Sequence, residues 1–285
     1  MSPAPLLILG VLVSQQQNLP NTAELSADIV LTESRSRLAQ LRSMRATLVK
    51  QTDFGDRQFQ SSGDYLAGAY PRMQMRIVAS AGGQSLNYLT ICDGQVLWTV
   101  NELRAVPQNA AATDDQTVRD IARFDVDRLR TYATEWTLPE QRLELERVLG
   151  GLPGLLAGVQ QTFNLDTQTE DSVFVLSGPR RDGALASIAK PKSRTASSLP
   201  DHVEVRIDRE TMIPVQVLYT REKDGKRTPL HLLQLRDVQL NVELPGNAFD
   251  YSAPEDSYTD RTRQTIDRID RMATQESESE SAESR

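Results

Sequence analysis

The sequence has few of the residues on which metal sites and disulfides depend. Its 285 residues include one cysteine, Cys92, and two histidines, His202 and His231. A single cysteine excludes an intramolecular disulfide, and we expect it to be a small buried hydrophobe. The two histidines fall in separate predicted strands with no Cys/His spacing beside them, so the sequence predicts no metal site and no cofactor.

The motifs of common enzymes are also missing from the sequence. It contains no G-x-S-x-G nucleophile elbow, no P-loop and no Gly-rich dinucleotide fingerprint after a strand. Gly82 and Gly83 indicate a turn, and Asp125 and Asp127 fall on a predicted amphipathic helix, where solvated carboxylates are ordinary. We therefore predict that the protein is not an enzyme.

Excess positive charge and long hydrophobic runs are missing as well. The net charge is −7, and without a dense Lys/Arg block nucleic acid is not an expected partner. The apolar run at residues 6–13 is too short to span a bilayer. It fits the apolar part of an export signal, with a small residue at Ser14 but no basic start. We expect residues 1–20 to be such a signal or a disordered N-terminus, and the protein to be exported and soluble, or cytoplasmic if the signal does not function.

Alternating apolar and polar residues are abundant, and they predict an antiparallel sheet. The alternation is cleanest just after Pro71, where Met73, Met75 and Ile77 point one way. Asp93-Gly94 is a strong hairpin signal. Further strands are predicted at residues 44–52, 57–70, 84–92, 95–100, 202–208, 213–221, 228–242 and 247–251.

Helical patterns flank and interrupt these strands. One apolar stripe predicts a helix over residues 21–43, and a helical insertion is predicted at about 107–170, beginning with a helix over 114–132. An exposed loop should follow at about 178–200. The acidic, Ser/Glu-rich tail at 255–285 should be mostly disordered, the alternative being a short partner-binding helix over 259–273.

These elements predict an α+β fold in a single domain, residues 21–254. It is a half-open, curved antiparallel β-sheet (an incomplete barrel) with helices as a lid over the concave apolar face. Two alternatives remain open for that face. Either the helices complete an ordinary core, or they cover the sheet only partly and a hydrophobic ligand completes it. Flexible methionines such as Met73 and Met75 fit the second alternative, and they fit the first nearly as well.

Several motifs resemble those of a known family. Residues 36–43 (SRLAQLRS) lead into a strand that ends at Gln51, and 63–66 (GDYL) precede the Pro71 strand. Residues 93–98 (DGQVLW) match the hairpin motif of this family, and 249–254 (FDYSAP) look like its C-terminal motif. In this order, over 36–106 and 202–254, they resemble the periplasmic outer-membrane lipoprotein carrier family, LolA.

The resemblance implies a half-open barrel whose helical lid covers an apolar cavity for lipoprotein acyl chains. We therefore expect a soluble, monomeric periplasmic carrier that delivers acyl chains or other lipid-like cargo toward the outer membrane, with membrane-bound donor and acceptor proteins as partners. The alternative is a non-enzymatic ligand-sensing or protein-interaction domain on the same scaffold. The residues expected to line the cavity are Met73, Met75, Ile77, Leu86, Tyr88 and Trp98, with Ile121 and Leu129 from the lid.

This chain departs from the family in three respects. The family often places a lid-latching arginine just before the proline of the third strand; that position is Tyr70 here, and the nearest candidates for the latch are Arg72 and Arg76. The helical insertion is longer than is usual in the family, and the acidic tail is additional.

Overall fold

The computed structural model describes residues 25–53, 58–81, 84–105, 117–182, 199–223, 225–255 and 257–283. In these parts of the chain there are five helices and one sheet of twelve strands. The helices are α1 (Ala27–Gln40), α2 (Val126–Ala133), α3 (Pro139–Leu149), α4 (Gly151–Thr162) and α5 (Thr262–Glu283). The strands are β1 (Met44–Asp53), β2 (Gln58–Ala67), β3 (Met73–Ala81), β4 (Gln84–Cys92), β5 (Val96–Ala105), β6 (Thr117–Asp125), β7 (Asp166–Glu170), β8 (Val173–Pro179), β9 (His202–Asp208), β10 (Pro214–Lys223), β11 (Lys226–Leu240) and β12 (Thr259–Asp260).

The sheet is open and almost entirely antiparallel. Its strand order is β12-β6-β5-β4-β3-β2-β1-β11-β10-β9-β8-β7, so β12 and β7 lie at the two edges. The short β12 is the one strand that pairs in parallel, with β6. The predicted fold class, α+β with a half-open antiparallel sheet and helices on one face, is confirmed.

The helices pack on the sheet in two groups. In the first cluster, α1 and α4 cover β1, β2 and β8–β11. In the second, α2, α3 and α5 cover the beginning of β3 and the hairpin of β4 and β5. Helix α1 is capped by Ser26, whose side chain accepts a hydrogen bond from the Ile29 amide. The predicted stripe of α1 is buried at Ala27, Leu31, Ser34 and Leu38.

The predicted helix over residues 114–132 is wrong in its first part. Residues 117–125 form β6, which pairs with β5 along its whole length, and the helix α2 begins only at Val126. Asp125 ends the strand and caps the helix, because its carboxylate accepts a hydrogen bond from the Arg128 amide at 2.9 Å. The apolar residues of this segment fit the period of a helix and that of a strand. It forms a strand because it pairs with the edge of β5 that would otherwise be free.

The C-terminal tail is helical over Thr262–Glu283, where its composition predicted mostly disorder and a short helix over 259–273 was the alternative. Ile266 and Ile269 of α5 are fully buried in the second cluster. The Trp136 indole donates a hydrogen bond to Asp270 at 2.9 Å, which ties α5 to the segment between α2 and α3. The expectation of a solvated tail is therefore wrong for residues 262–272. The predictions for residues 1–20 and for 183–198 of the exposed loop concern residues outside the described ones.

Candidate ligand-binding face

The strand register assigns each side chain of β2–β6 to one of two faces. Met73 lies opposite Cys92, and Cys92 lies opposite Leu97. Directly opposed residues point to the same side of a sheet, and all three pack against the helices in the second cluster. We call this the helix-side face. Their strand neighbours Ile91 and Trp98, which oppose each other, point to the outer face.

The helices cover only part of the helix-side face. Under α2, α3 and α5, Met73, Cys92 and Leu97 are at most 4% exposed. Toward the other end of the same strands, one row runs from Ala79 through Leu86 and Leu103 to Val118. Three residues of this row are large, apolar and exposed: Leu86 by 43%, Leu103 by 37% and Val118 by 67%. Together with the half-buried pair Ile77 and Tyr88 in the adjacent row, they form what we call the apolar strip.

A continuous apolar surface that is exposed across several strands is typical of a site that binds a ligand, a protein or a membrane. Singly scattered apolar residues need no explanation, but the strip is continuous because its members oppose one another across β3, β4, β5 and β6. Of the six large hydrophobic residues that are exposed in the described chain, three belong to this row. The strip is therefore the candidate binding surface.

The structure brings five of the eight predicted cavity residues to the helix-side face. Met73 is buried beneath the helices, Met75, Ile77 and Tyr88 are half-buried, and Leu86 is exposed. They follow the face in that order, from the covered end to the apolar strip.

The other three predicted cavity residues need correction. Trp98 and Ile121 point to the outer face, because Trp98 opposes Ile91 and Ile121 opposes Val100. The Trp98 ring makes edge contacts with Tyr251 and Tyr258 there, with centroids 5.6 and 5.0 Å apart. Ile121 belongs to β6 and to no helix. Leu129 does belong to a helix of the cover, but it is fully buried in the second cluster.

The arginines predicted as a latch do not join the helices. The Arg72 guanidinium lies 4.8 Å from the centre of the Phe249 ring, and Arg76 is exposed on the outer face opposite Leu89. The helices are held instead by ion pairs that the sequence did not indicate. Arg35 of α1 contacts Glu146 of α3 at 2.7 Å.

A second ion pair joins α3 to α5. The Glu144 side chain is only 4% exposed and accepts two hydrogen bonds of 2.6 Å from Arg147. Arg268 of α5 contacts the same carboxylate at 2.5 Å. Two arginines therefore compensate the charge of Glu144 inside the helical cover.

A glycine hinge joins the two groups of helices. Gly150 and Gly151 separate α3 from α4, with φ of +75° and +65°, a conformation that favours glycine. Beneath them is a crevice of about 20 Å³, which is room for roughly one water molecule and too small for an acyl chain. The expected cavity is not preformed at this place. The crevice is lined by Leu38, Tyr65, Ala67, Gly68, Tyr70, Pro71, Arg72, Met73, Leu149, Gly150, Gly151 and Pro153.

Three hydroxyl groups lie near this hinge. The Tyr65 hydroxyl accepts a hydrogen bond from the Leu152 amide at 3.3 Å, whereas those of Tyr70 and Thr90 are buried without a hydrogen-bond partner among the described residues. Burial raises the pKa of Tyr65 to about 12, although the Leu152 amide acts against the shift. Burial, and then the Glu146 carboxylate, raise the pKa of Tyr70 well above its usual value. Both phenols therefore stay protonated at neutral pH.

The site offers no activated nucleophile or metal-binding group in the described chain. Burial raises the pKa of the Cys92 thiol to about 11, so it stays protonated. Within the described ranges, no three His, Cys, Asp or Glu side chains converge as metal ligands would. None of the described helices combines the length and apolar character that crossing a bilayer requires.

The outer face carries a buried carboxylate of its own. Glu102 is 6% exposed and accepts hydrogen bonds from Arg119, at 2.7 and 3.0 Å, and from Arg104. Burial alone would raise the pKa of Glu102, but its two arginine partners outweigh burial and lower it. This cluster fixes the middle of β5 against β6 on the side away from the apolar strip.

No protein-family model matches this chain, and no curated protein matches it. Several solved structures are similar to it in fold at low sequence identity. MucB is 15% identical over 80% of this chain with a TM-score of 0.38, and this chain spans 64% of MucB, less than two thirds of its length. LprF from Mycobacterium bovis is 13% identical, with 76% of this chain and 94% of LprF covered and a TM-score of 0.36. A LolA superfamily protein from Nitrosomonas europaea is 11% identical, with 80% and 99% covered and a TM-score of 0.28. LolA superfamily proteins, whose motifs this sequence resembles, are thus among the solved structures to which it is similar.

Proposed function

We propose that this protein is a non-enzymatic carrier that binds the hydrocarbon chain of an amphipathic cargo on the apolar strip. The observation that supports this proposal is the uneven cover of the helix-side face. The same apolar face is shielded by helices at Met73 and exposed to solvent at Leu86, Leu103 and Val118. A sheet face of this kind is completed by an apolar ligand that lies along it.

The energy available from the strip is modest and sufficient for reversible binding. Full burial of a leucine side chain stabilises by about 1.5–3 kcal/mol, so covering the exposed two fifths of Leu86 and of Leu103 contributes about 1 kcal/mol each. Each buried methylene of the ligand adds about 0.8 kcal/mol. Because association itself is costly, we expect affinities in the micromolar range, as reversible transport requires.

Release of cargo would use the helical cover. The hinge at Gly150 and Gly151 lies between the two groups of helices, and the Arg35–Glu146 ion pair spans the same boundary. Opening there would extend the strip toward Met73 and admit more of the chain. We propose lipoprotein acyl chains or a similar lipid as cargo, the periplasm as the compartment, and membrane-bound donor and acceptor proteins as partners.

A pair of charge substitutions tests the proposal. Leu103→Glu introduces a carboxylate into the strip, and we expect it to weaken binding of a fluorescent fatty acyl probe by about tenfold or more, because a charge would have to be covered by hydrocarbon. Val78→Glu is the matched control. Val78 is 40% exposed against 37% for Leu103, but it points to the outer face.

Fluorescence titration gives the two affinities, and circular dichroism shows that both variants are folded. Equal affinities of the two folded variants would contradict the proposal, as would a wild-type protein that binds no probe and carries no lipid in native mass spectrometry. A lipid-free mass with a stoichiometric protein partner would instead favour the interaction-domain alternative.

A further inference from the structure

Two hydroxyl groups, of Thr90 in β4 and of Tyr70 in the turn between β2 and β3, lack the partner that burial ordinarily requires. Thr90 is 4% exposed, and its Oγ1 atom makes no hydrogen bond within the described chain; the same is true of the buried Tyr70 hydroxyl oxygen. An unpaired buried hydroxyl costs roughly 1–3 kcal/mol. Native structures contain few such groups, and each calls for a partner, whether a ligand or a water molecule.

Thr90 lies next to the apolar strip, and Tyr70 lines the crevice. Thr90 is two residues from Tyr88 on the same face of β4, opposite Met75. A Cβ atom built on Gly150 would lie 3.9 Å from the Thr90 methyl carbon and 3.3 Å from the Met73 methyl carbon. Tyr70 lines the crevice together with Met73 and Gly150. A chain that follows the strip toward the hinge therefore meets Thr90 first and Tyr70 beyond it.

The chemistry at this end of the face favours a hydrogen-bond acceptor. Thr90 and the protonated Tyr70 can both donate. Helix α4 begins here, and the positive end of its dipole favours an oxygen acceptor. Its N-cap residue Gly150 has no side chain that could accept a hydrogen bond from the first amides of the helix. The Leu152 amide donates to the Tyr65 hydroxyl instead. Glu146 disfavours a fully negative group beside Tyr70, and Arg130, 5.8 Å from the centre of the Tyr70 ring, offsets part of that effect. A neutral acceptor is therefore the form that we expect here.

We infer that the hydroxyls of Thr90 and Tyr70 bind the carbonyl oxygen of an acyl ester or amide whose hydrocarbon chain lies on the apolar strip. This inference rests on the proposed function and names the polar end of its ligand. The crevice of about 20 Å³ admits a single oxygen-sized group. The atoms attached to the carbonyl enter when the Gly150–Gly151 hinge opens.

Three probes of matched chain length test the inference on the full chain: methyl decanoate, decanoate and undecane. We expect methyl decanoate to bind more tightly than undecane by an order of magnitude, because two hydrogen bonds distinguish them. Thr90→Val and Tyr70→Phe should each reduce that ratio by roughly fivefold. Competition against the fluorescent fatty acyl probe measures each affinity.

Thr99→Val is the control variant. Thr99 lies directly opposite Thr90 on the same face but is partly exposed, so we expect the ester preference to be unchanged. The melting temperature of Thr90→Val should equal or exceed that of the wild type, since the change removes an unpaired hydroxyl and keeps the shape of the side chain.

The outcomes distinguish a failure of the carbonyl site from a failure of the proposed function. If undecane and the ester bind equally, or if Thr90→Val and Thr99→Val behave alike, the carbonyl site is refuted and the hydrophobic strip stands. Tighter binding of decanoate than of the ester would overturn the assignment of a neutral acceptor. Failure of all three probes to bind would refute the proposed function as well.

Discussion

Helix α5 is the part of the fold that differs most from what its sequence composition predicts. One substitution measures how much the docking of α5 stabilises the protein. Ile269 is fully buried in the second cluster, together with Leu129 of α2 and Trp136 of the segment between α2 and α3. Replacing Ile269 by alanine removes three carbon atoms from this packing. Substitutions of this kind destabilise by about 2–5 kcal/mol, depending on how far the site can collapse. We expect about 3 kcal/mol for Ile269→Ala.

A matched variant isolates burial from helix propensity. Ile29 of α1 is 55% exposed, and Ile29→Ala makes the same chemical change in another helix. The small gain in helix propensity applies to both variants, so it cancels in their difference. We expect Ile29→Ala to change the free energy of unfolding by less than about 0.5 kcal/mol.

Equilibrium urea unfolding, followed by far-UV circular dichroism, gives both free energies from the midpoints at a common slope. Emission of Trp136 in a Trp98→Phe background reports on α5 directly, because the Trp136 indole donates to Asp270 of that helix. If Ile269→Ala costs no more than Ile29→Ala, α5 is not docked on α2 and α3. The account of the helical cover would then be refuted.

Two further predictions concern the hinge and the buried carboxylate. Gly151→Ala should destabilise the fold by about 1–2 kcal/mol more than Gly225→Ala in thermal unfolding. Both glycines have positive φ, but only a Cβ atom on Gly151 would meet a neighbour, the Tyr65 hydroxyl oxygen at 3.1 Å. Equal costs of the two substitutions would exclude steric restriction at the hinge. The pKa of Glu102 is lowered in the folded state, so its ionisation stabilises the fold above the usual carboxyl pKa of 4.5 and this contribution is lost as pH falls through the folded pKa. The stability difference between wild type and Glu102→Gln, measured by urea midpoints, should therefore shrink below pH 4.5, and a difference independent of pH would contradict the assignment.

The features that the sequence predicted correctly are those decided by neighbouring residues. The hairpin between β4 and β5 is an example, since the Asp93 carboxylate accepts hydrogen bonds from the amides of Gln95 and Val96 at 2.7 and 2.8 Å. The alternation of Met73, Met75 and Ile77 on one face of β3 is another, because the pleat of a strand imposes it.

The features that the sequence did not reveal depend on partners far along the chain. Ile121 fitted a helical stripe, and pairing with Val100 assigned it to a strand. Ile269 was a weak apolar signal within an acidic tail, and α2 and α3 supplied the surface that buries it. The buried hydroxyls of Thr90 and Tyr70 carry no sequence signal, because their lack of a partner is visible only once every neighbour is placed.

The central position of β1 has a consequence for how the chain is made. Met44 of β1 pairs with Leu240 of β11, near the other end of the chain. During synthesis β1 can pair with β2 at once, but its other edge waits until β11 has emerged. Such a long-range closure slows folding, and an unpaired strand edge promotes misassociation. Completion of the sheet therefore waits until residues 226–240 have been synthesised, and truncations that remove β11 should yield insoluble material.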